Sequence, residues 1–472
     1  MASSELLPIV EPLEPPPDPE TAFLRLARLP HCLFLDSAIK DPQLGRYSFL
    51  AADPFDFLRL PANGDDALAT LAARWSTFRA ETLPELPPFQ GGWAGLFGYE
   101  LGRSLERAPA ANVDEFHAPA LAVGCYDVVL AVDHVAGRAW IISQGFPEIE
   151  PSRRRRRAAE RLRQMRECLE QAAKPFTKAG PPGNLSREQL APQYPLAGWP
   201  SVTSNFSRSQ YLDTVRRVID YIRAGDVFQV NLSQRLTTPA VDDAVALYRR
   251  LRRINPAPMA GYFDLGDLQV ASASPERFLT VRQRRVETRP IKGTRPRTGD
   301  AAVDRKALDD LVSSEKDRAE NVMIVDLLRN DLSRVCEPDS VRVAQLCGVE
   351  TYQYVFHLVS SVCGRLRSDR SALDLLRAAF PGGSITGAPK PRAMQIIAEL
   401  EPTARGPYCG SLGYLGFDGA MDTSLLIRTI TAARGWWQFP VGGGIVAQSD
   451  PEREYDETLH KAEGLLQAVR SE

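Results

Sequence analysis

The protein has 472 residues, of which 44% are hydrophobic and 25% are charged, which excludes wholesale disorder, a collagen-like repeat and a coiled-coil rod. Its 57 Lys and Arg residues nearly balance its 59 Asp and Glu residues, for a net charge of -2. Proteins that bind nucleic acid through phosphate attraction are usually clearly basic, so the charge argues against a nucleic-acid partner.

Three features predict a cytoplasmic protein without a membrane segment. No apolar run approaches the length of about 18 residues that a membrane helix needs. The acidic, proline-rich start at residues 1–20 lacks the basic end and apolar core of a signal peptide. The seven cysteines are scattered and form no Cys-x-x-Cys pair, which favours reduced thiols over a disulfide framework or a zinc site.

The first 150 residues alternate short apolar runs with turns. Residues 123–132 and 139–143 are rich in β-branched and aromatic side chains, which predicts strands. The glycine-rich run 91–99 matches neither a dinucleotide-binding fingerprint nor a phosphate-binding loop, so tight packing in a sheet is the favoured interpretation.

A basic helix and a linker follow. Residues 151–173 have a helical pattern that opens with five arginines, and the glutamates farther along favour a solvated face over a nucleic-acid contact. Residues 174–200 contain six prolines and three glycines, which is typical of a linker. We therefore predict an N-terminal region at 1–150, a helix with a linker at 151–204 and a C-terminal region at 205–472.

The C-terminal region mixes helices with antiparallel strands in blocks, without regular βαβ alternation, which predicts an α+β fold. Apolar and polar residues alternate over 228–233, as in a strand with one buried face. The other predicted elements are a helix at 209–223, a hairpin at 259–272, one long helix at 304–335 and a three-stranded meander at 408–441.

Lys292 stands at a bend, between a stiff proline and a permissive glycine. A lysine amine becomes a nucleophile when neighbouring cations favour its neutral form. Three arginines lie close to it in the sequence: Arg289, Arg295 and Arg297. A basic surface loop would show the same pattern, so the residues alone leave both interpretations open.

Two carboxylates and a lysine share one face of the last predicted helix. Glu454, Glu457 and Lys461 fall at positions i, i+3 and i+7. Such carboxylates can hold Mg²⁺, which prefers oxygen ligands, and Glu320 on another helix would supply a third. An exposed helix with ordinary ion pairs is the alternative, and it stays open because sequence alone does not show that Glu320 is near.

A run of small residues at 380–390 precedes a predicted helix. Free backbone N–H groups in such a turn bind anions, although an ordinary loop fits equally well. His357 could touch a site, but a lone histidine is more often structural, and no two histidines have the spacing of a metal site.

Four motifs, in this order along the chain, resemble those of the chorismate-utilising enzymes: Pro-Ile-Lys-Gly-Thr at 290–294, Ala-Glu-Asn-Val-Met-Ile-Val-Asp-Leu-Leu-Arg-Asn-Asp at 319–331, Phe-Pro-Gly-Gly-Ser-Ile-Thr-Gly-Ala-Pro-Lys at 380–390 and Gly-Gly-Gly-Ile-Val at 442–446. The family includes anthranilate synthase component I, isochorismate synthase, salicylate synthase and aminodeoxychorismate synthase component I. The resemblance covers nearly the whole chain and is strongest over 205–470. It implies two large facing, mostly antiparallel β-sheets with helices outside and the active cleft between them.

Individual positions resemble the aminodeoxychorismate branch of the family. Members that add water to chorismate carry a lysine base where this chain has Gln229, and anthranilate synthases typically carry alanine where it has Lys292. The Pro-Gly-Gly-Ser-Ile-Thr run at 381–386 also resembles the aminodeoxychorismate branch. The resemblance therefore implies amination of chorismate at C4 to 4-amino-4-deoxychorismate, on the route to 4-aminobenzoate and folate.

The resemblance also implies roles for single residues. Lys292 would attack C2 of chorismate, and Glu276 would protonate the departing C4 hydroxyl. Mg²⁺ would be held by Glu320, Glu454 and Glu457. The substrate-binding positions carried over are Thr386, Gly387, Tyr414, Arg428, Gly443, Gly444, Lys461 and His357.

Partners and regulation follow from the same resemblance. Ammonia would come from a separate glutamine amidotransferase subunit, since no such domain is visible in the sequence. A pocket for L-tryptophan is matched by Ser37, Arg46, Tyr47, Pro258 and Met259. Phe-Leu-Asp-Ser at 34–37 departs from the motif of feedback-inhibited members and argues against such control. The alternatives are an anthranilate synthase and a non-catalytic subunit that only activates an amidotransferase; the intact catalytic positions argue against the second.

Overall fold

The computed structural model describes residues 7–39, 44–106, 108–172, 185–352 and 355–470. The helices in these ranges are α1 (Pro19–Leu26), α2 (Ala67–Trp75), α3 (Gly102–Glu106), α4 (Pro151–Glu170), α5 (Arg208–Arg223), α6 (Ala244–Ile254), α7 (Ala301–Ser313), α8 (Glu315–Ser333), α9 (Ala372–Ala379), α10 (Lys390–Leu400) and α11 (Pro451–Ala468). The strands are β1 (Ile9–Leu13), β2 (Leu33–Asp36), β3 (Tyr47–Ala51), β4 (Asp56–Leu60), β5 (Gly92–Phe97), β6 (Leu121–Tyr126), β7 (Val128–Asp133), β8 (Arg138–Ser143), β9 (Tyr194–Leu196), β10 (Trp199–Ser204), β11 (Gln229–Pro239), β12 (Met259–Asp264), β13 (Leu268–Ser274), β14 (Arg277–Arg282), β15 (Arg285–Thr288), β16 (Ile291–Pro296), β17 (Arg342–Thr351), β18 (Val355–Arg365), β19 (Gly387–Ala388), β20 (Ser411–Gly416), β21 (Met421–Leu425), β22 (Thr429–Ala433) and β23 (Trp436–Ile445).

The strands form two antiparallel sheets, which we name the large sheet, with 13 strands, and the small sheet, with 10. The large sheet has the order β1-β8-β7-β3-β2-β12-β13-β22-β23-β11-β10-β9, and β19 pairs with β11. The small sheet has the order β16-β18-β15-β14-β21-β20-β5-β6-β4, and β17 pairs with β18. The predicted α+β class is therefore confirmed, as is the pair of large antiparallel sheets.

The two sheets face each other across an apolar layer. The ring of Phe49 in the large sheet packs edge to face on Tyr414 in the small sheet, with centroids 5.9 Å apart. A β carbon on Gly261 of the large sheet would lie 2.7 Å from the Leu412 side chain of the small sheet, so the glycine permits this close approach. Helices α1, α4, α6 and α11 cover the outer face of the large sheet, and α2, α8 and α9 cover that of the small sheet.

Two predicted stretches of strand are divided between the sheets. Residues 123–132 form β6 in the small sheet and β7 in the large one, separated by Asp127, whose buried carboxylate is held by Arg157 and Arg161. The meander predicted at 408–441 has four strands instead of three. The chain crosses from the small sheet to the large one just before β22, at Arg428, which has a φ of 50°.

The structure differs from two further predictions, one for a helix and one for a strand. The long helix expected at 304–335 is two helices, because the Ser314 hydroxyl accepts a hydrogen bond from the Asp317 N–H at 3.2 Å and begins a new helix. β11 is buried on both faces and not on one, and its Gln229 has no exposed surface. The structure confirms the helices expected at 151–173 and 209–223, the hairpin at 259–272 and the strand at 139–143.

The boundary predicted at 174–200 does not separate the sheets. β2 pairs with β12 in the large sheet and β5 pairs with β20 in the small sheet, so strands from both sides of the boundary share both sheets. Residue 173 of the predicted helix and residues 174–184 of the predicted linker lie outside the described residues, and the rest of the linker contributes β9 and β10. The division into 1–150, 151–204 and 205–472 stays a prediction. Within the described ranges, none of the helices combines the length and the apolar character that a membrane crossing requires.

Candidate active site

Lys292 and Glu276, the two predicted catalytic residues, both contact Ser384. Lys292 lies on β16 at the edge of the small sheet, and its Nζ donates to the Ser384 carbonyl oxygen at 3.4 Å. The Ser384 hydroxyl donates to Oε1 of Glu276 at 3.1 Å. Gly293, with a φ of 76°, makes the bend predicted beside the lysine. One serine thus connects the candidate nucleophile to the candidate acid.

The nearest charge to Lys292 is negative. Its ammonium nitrogen lies 3.9 Å from Oε2 of Glu320. The arginines close to Lys292 in sequence are each paired with acids: Arg289 with Glu287 and Glu350, Arg295 with Asp317 and Arg297 with Asp304. These ion pairs balance the charges of the three arginines, and their role in activating Lys292 stays a prediction.

Glu276 is placed as a proton donor. Its carboxyl is buried, with 5% of the residue exposed. Burial raises the pKa of Glu276 to about 7, although Lys292 and the Ser384 hydroxyl favour the ionised form. At neutral pH a large share of Glu276 therefore carries a proton that it can give to a leaving group.

The three predicted metal ligands are each paired with a lysine: Glu320 with Lys292, Glu454 with Lys316 and Glu457 with Lys461. The nitrogen–oxygen distances are 3.9, 3.3 and 2.7 Å, respectively. Burial raises the pKa of Glu320. Burial also opposes the ionisation of Glu457, but the surrounding lysines, Lys461 first, hold the pKa of that carboxyl below its ordinary value. Glutamates of α8 and α11 thus form one network of alternating charge.

The surroundings of Gly443 fit a cation with oxygen ligands. A β carbon on Gly443 would lie 3.3 Å from Oε1 of Glu457 and 3.4 Å from Oε2 of Glu454, so the glycine leaves space beside both carboxylates. Oε2 of Glu454 is buried and has no hydrogen-bond partner in the described part of the chain. No three acids, histidines or cysteines among the described residues are gathered closely enough to hold a metal. The donor chemistry is nevertheless that of a Mg²⁺ site, and lysine ammonium groups balance its charge in this structure.

Arg428 brings an unpaired positive charge to the site. It is partly buried, burial lowers its pKa, and no carboxylate in the ranges that the structure covers forms an ion pair with it. Nδ1 of His357 lies 2.9 Å from the Thr294 hydroxyl. Burial, with the charge of Arg428, lowers the pKa of His357 to about 4. A neutral imidazole next to an unpaired guanidinium suits an anionic ligand.

Gln229 lies between two of the predicted glycines. A β carbon on Gly444 would lie 2.5 Å from Nε2 of Gln229, and one on Gly387 would lie 2.1 Å from its carbonyl oxygen. Both side-chain amide atoms of Gln229 are buried without a hydrogen-bond partner among the described residues. Thr386 donates its hydroxyl to the Gly382 carbonyl at 2.9 Å. The side chain of Thr386 thus stabilises its own turn, while Gly444 borders the side-chain amide of Gln229 and Gly387 borders the main-chain carbonyl of Gln229.

Tyr414 lines a second pocket and does not join the group around Lys292. Its ring lies in the apolar layer between the sheets and stacks on Phe89, with centroids 4.5 Å apart, which corrects the predicted substrate role. The second pocket has a volume of about 140 Å³ and also includes every position of the predicted tryptophan pocket: Ser37, Arg46, Tyr47, Pro258 and Met259. The structure therefore brings those five residues together, and L-tryptophan as the occupant stays a prediction.

Sequence reasoning missed two residues of the site, Ser384 and Lys316. Ser384 lies inside the motif at 380–390, where only backbone groups were considered. Lys316 precedes Glu320 by one helical turn, and this i,i+4 spacing is a signal that the sequence contains. Burial opposes the charge of Lys316, but three glutamates, Glu454 first, raise its pKa above the ordinary value.

The chain is similar to known proteins along almost its whole length. The family model described as chorismate binding enzyme matches residues 40–467. Anthranilate synthase component 1 of Thermus thermophilus is 42% identical over 460 residues, which cover 96% of this chain and 95% of that protein. Aminodeoxychorismate synthase component 1 of Salmonella typhimurium is 40% identical over 467 residues, or 96% of each chain. The crystal structure of anthranilate synthase component I from Streptococcus pneumoniae TIGR4 matches with a TM-score of 0.75 at 30% identity, covering 92% of this chain and 94% of that one.

Proposed function

The chain belongs to the family of chorismate binding enzymes, and on that premise we propose that it aminates chorismate at C4 with ammonia to give 4-amino-4-deoxychorismate, a precursor of 4-aminobenzoate and folate. Its relatives divide between anthranilate and aminodeoxychorismate synthases at similar identity, 42% and 40%. The argument for this product therefore depends on the residues of the site.

The position of Lys292 carries the proposal. Its amine contacts the carbonyl of Ser384, whose hydroxyl contacts Glu276, so a nucleophile and a partly protonated acid adjoin one turn. Gln229 occupies the place of the base that water addition would need, and an amide does not accept a proton at neutral pH. This combination favours amination over hydration.

The proposed reaction has two displacements. The neutral amine of Lys292 forms a bond to C2 of chorismate, the ring double bonds shift, and the C4 hydroxyl leaves as water with the proton of Glu276. Ammonia then forms a bond to C4, the double bonds shift back, and the bond between C2 and Lys292 breaks. The net change converts chorismate and ammonia into 4-amino-4-deoxychorismate and water.

The charges of the cleft suit a substrate with two carboxylates. Arg428 offers an unpaired guanidinium to one of them. Glu320, Glu454 and Glu457 would hold Mg²⁺ beside Gly443, and the bound metal supplies positive charge against the ring carboxylate of the substrate. A lysine ammonium group therefore lies beside each of these carboxylates before the substrate arrives.

Incubation of the purified protein with chorismate, Mg²⁺ and ammonium, with mass detection of the product, tests the proposal. We expect the mass of 4-amino-4-deoxychorismate. Fluorescent anthranilate would instead identify an anthranilate synthase, which is the activity in the name of the Thermus thermophilus relative. A folded protein that leaves chorismate unchanged would support the alternative of a non-catalytic subunit that only activates an amidotransferase.

The nitrogen donor gives a second prediction. Because the sequence shows no amidotransferase domain, the purified chain should use ammonium salts but not glutamine. The relatives are named as component 1 of their enzymes, which supports a partner that releases ammonia from glutamine. Product formation should therefore become glutamine-dependent once that amidotransferase subunit is added. Glutamine-driven turnover by the isolated chain would contradict the prediction.

The pH dependence of turnover should report Glu276. Only its protonated form can donate to the leaving hydroxyl, so kcat at saturating free ammonia should fall as the pH rises through about 7. Above that pH the protonated fraction falls about tenfold per unit. Glu276→Gln should be slower and should lose this alkaline fall, because an amide does not titrate. The same fall in the Gln variant would assign it to another group.

A further inference from the structure

A basic groove lies on the small sheet, apart from the residues around Lys292. It has a volume of about 650 Å³ and is lined by residues of β14, β15, β17 and β18. Arg277 and Arg282 line both this groove and the second pocket. The face in question is the one turned away from α8, which packs on the alternate side chains of the same strands.

Three arginines stand side by side across neighbouring strands of the groove. Arg282 on β14 is directly opposite Arg285 on β15, and Arg285 is directly opposite Arg365 on β18. Directly opposed residues project from the same face of a sheet, and like charges in such pairs destabilise it. A bound anion would relieve this repulsion.

The acids near the groove leave two arginines uncompensated. Asp422 lies 3.0 Å from Arg277 and 3.8 Å from Arg282. Glu287, which also lines the groove, lies 3.2 Å from Arg289, and Arg365 lies 3.5 Å from Glu337. Neither Arg285 nor Arg342 forms an ion pair with any residue that the structure describes. Both are exposed on strands, whose backbone fixes the positions from which the guanidinium groups extend.

The wall of the groove contains a hydroxyl without a partner. Thr280 lines the groove and is 8% exposed. Its Oγ1 is buried and makes no hydrogen bond within the described ranges. A buried hydroxyl is usually hydrogen-bonded, so Thr280 offers a donor to a group small enough to enter the groove.

We propose that this groove binds a small polyanion with two or more linked phosphate groups. Arginine forks hold phosphate oxygens in pairs, and the Thr280 hydroxyl would donate to one more oxygen. Neighbouring strands lie about 4.8 Å apart, so the row from Arg282 to Arg365 spans about 10 Å, wider than one phosphate. The buried hydroxyl favours such a ligand over the flat acidic surface of a protein. The site is independent of which product the enzyme makes from chorismate.

Titration calorimetry of the full chain with inorganic triphosphate, in the absence of Mg²⁺, tests the proposal. Triphosphate should bind more tightly than monophosphate, and binding should weaken at least about tenfold in the double variant Arg285→Gln/Arg342→Gln, which loses two charge-assisted contacts. The matched control is Arg155→Gln/Arg156→Gln, which removes the same charge from the exposed face of α4 and should bind like the wild type. Equal weakening in the control would overturn the site in favour of bulk charge.

Two further measurements separate the site from a structural role of its arginines. Without ligand, the double variant should melt no lower than the wild type, because a repulsion has been removed. Thr280→Val, which keeps the shape of the side chain, should bind triphosphate more weakly. A lower melting temperature of the double variant, unchanged binding in Thr280→Val, or tighter binding of a polyglutamate peptide than of triphosphate would overturn the proposal.

Discussion

Replacing Lys292 with alanine should lower kcat/KM for the formation of 4-amino-4-deoxychorismate by about a thousandfold, since the variant lacks the amine that attacks C2. Glu276 and the carboxylates of the metal site are left in place. The loss need not be complete, because ammonia held in the bound geometry can attack C4 directly. Steady-state kinetics with ammonium as the donor measures the effect.

A covalent intermediate gives the same prediction an independent readout. Denaturing the wild-type enzyme during turnover should trap an adduct between Lys292 and the substrate skeleton, visible by intact-protein and peptide mass spectrometry. The adduct should be absent from Lys292→Ala and present in Lys306→Ala, a control on the exposed face of α7. Wild-type rates in Lys292→Ala would show that the lysine selects the product only through its charge.

Removing one carboxylate of the proposed metal site should abolish Mg²⁺-dependent turnover while the fold survives. Glu457→Gln and Glu320→Gln each remove one negative charge from a partly dry site, where the loss of Coulomb attraction weakens cation binding strongly. Glu463→Gln, an exposed position on α11, is the matched control and should keep full activity.

Calorimetric titration with Mg²⁺ checks the metal site without turnover. Heat of binding should be seen for the wild type and for Glu463→Gln, and it should be lost in Glu457→Gln and Glu320→Gln. Thermal melting should show that all four proteins are folded. Full activity of the wild type in excess EDTA would contradict the assignment of Mg²⁺.

Patterns that depend on neighbouring residues could be predicted from the sequence. The helical period over 209–223 and the turn inside the hairpin at 259–272 depend only on residues close together in the sequence. Both elements are present in the structure. The division of 123–132 between two sheets occurs at Asp127, whose carboxylate pairs with arginines of α4 at least 30 residues farther along the chain. The local pattern of apolar and polar residues therefore could not predict where the chain passes from one sheet to the other.

The candidate site likewise combines features that the sequence could predict with features that depend on residues distant in the chain. The family resemblance suggested Lys292 and Glu276 as catalytic residues, and the structure places both against Ser384; their catalytic roles stay predictions. The partners of the flanking arginines could not be foreseen, since Arg289 finds Glu350 on another strand. Tyr414 was misplaced for a similar reason: the sequence does not specify which of two cavities a strand residue will face.

Synthesis on the ribosome exposes the first strands of this chain long before their neighbours exist. Gly92 of β5 pairs with Gly416 of β20, and Leu35 of β2 pairs with Gly261 of β12. Until those residues emerge, each early strand keeps an open edge, and open edges associate with other chains. A fragment that ends near residue 174 would keep these edges open, and it should aggregate instead of folding alone.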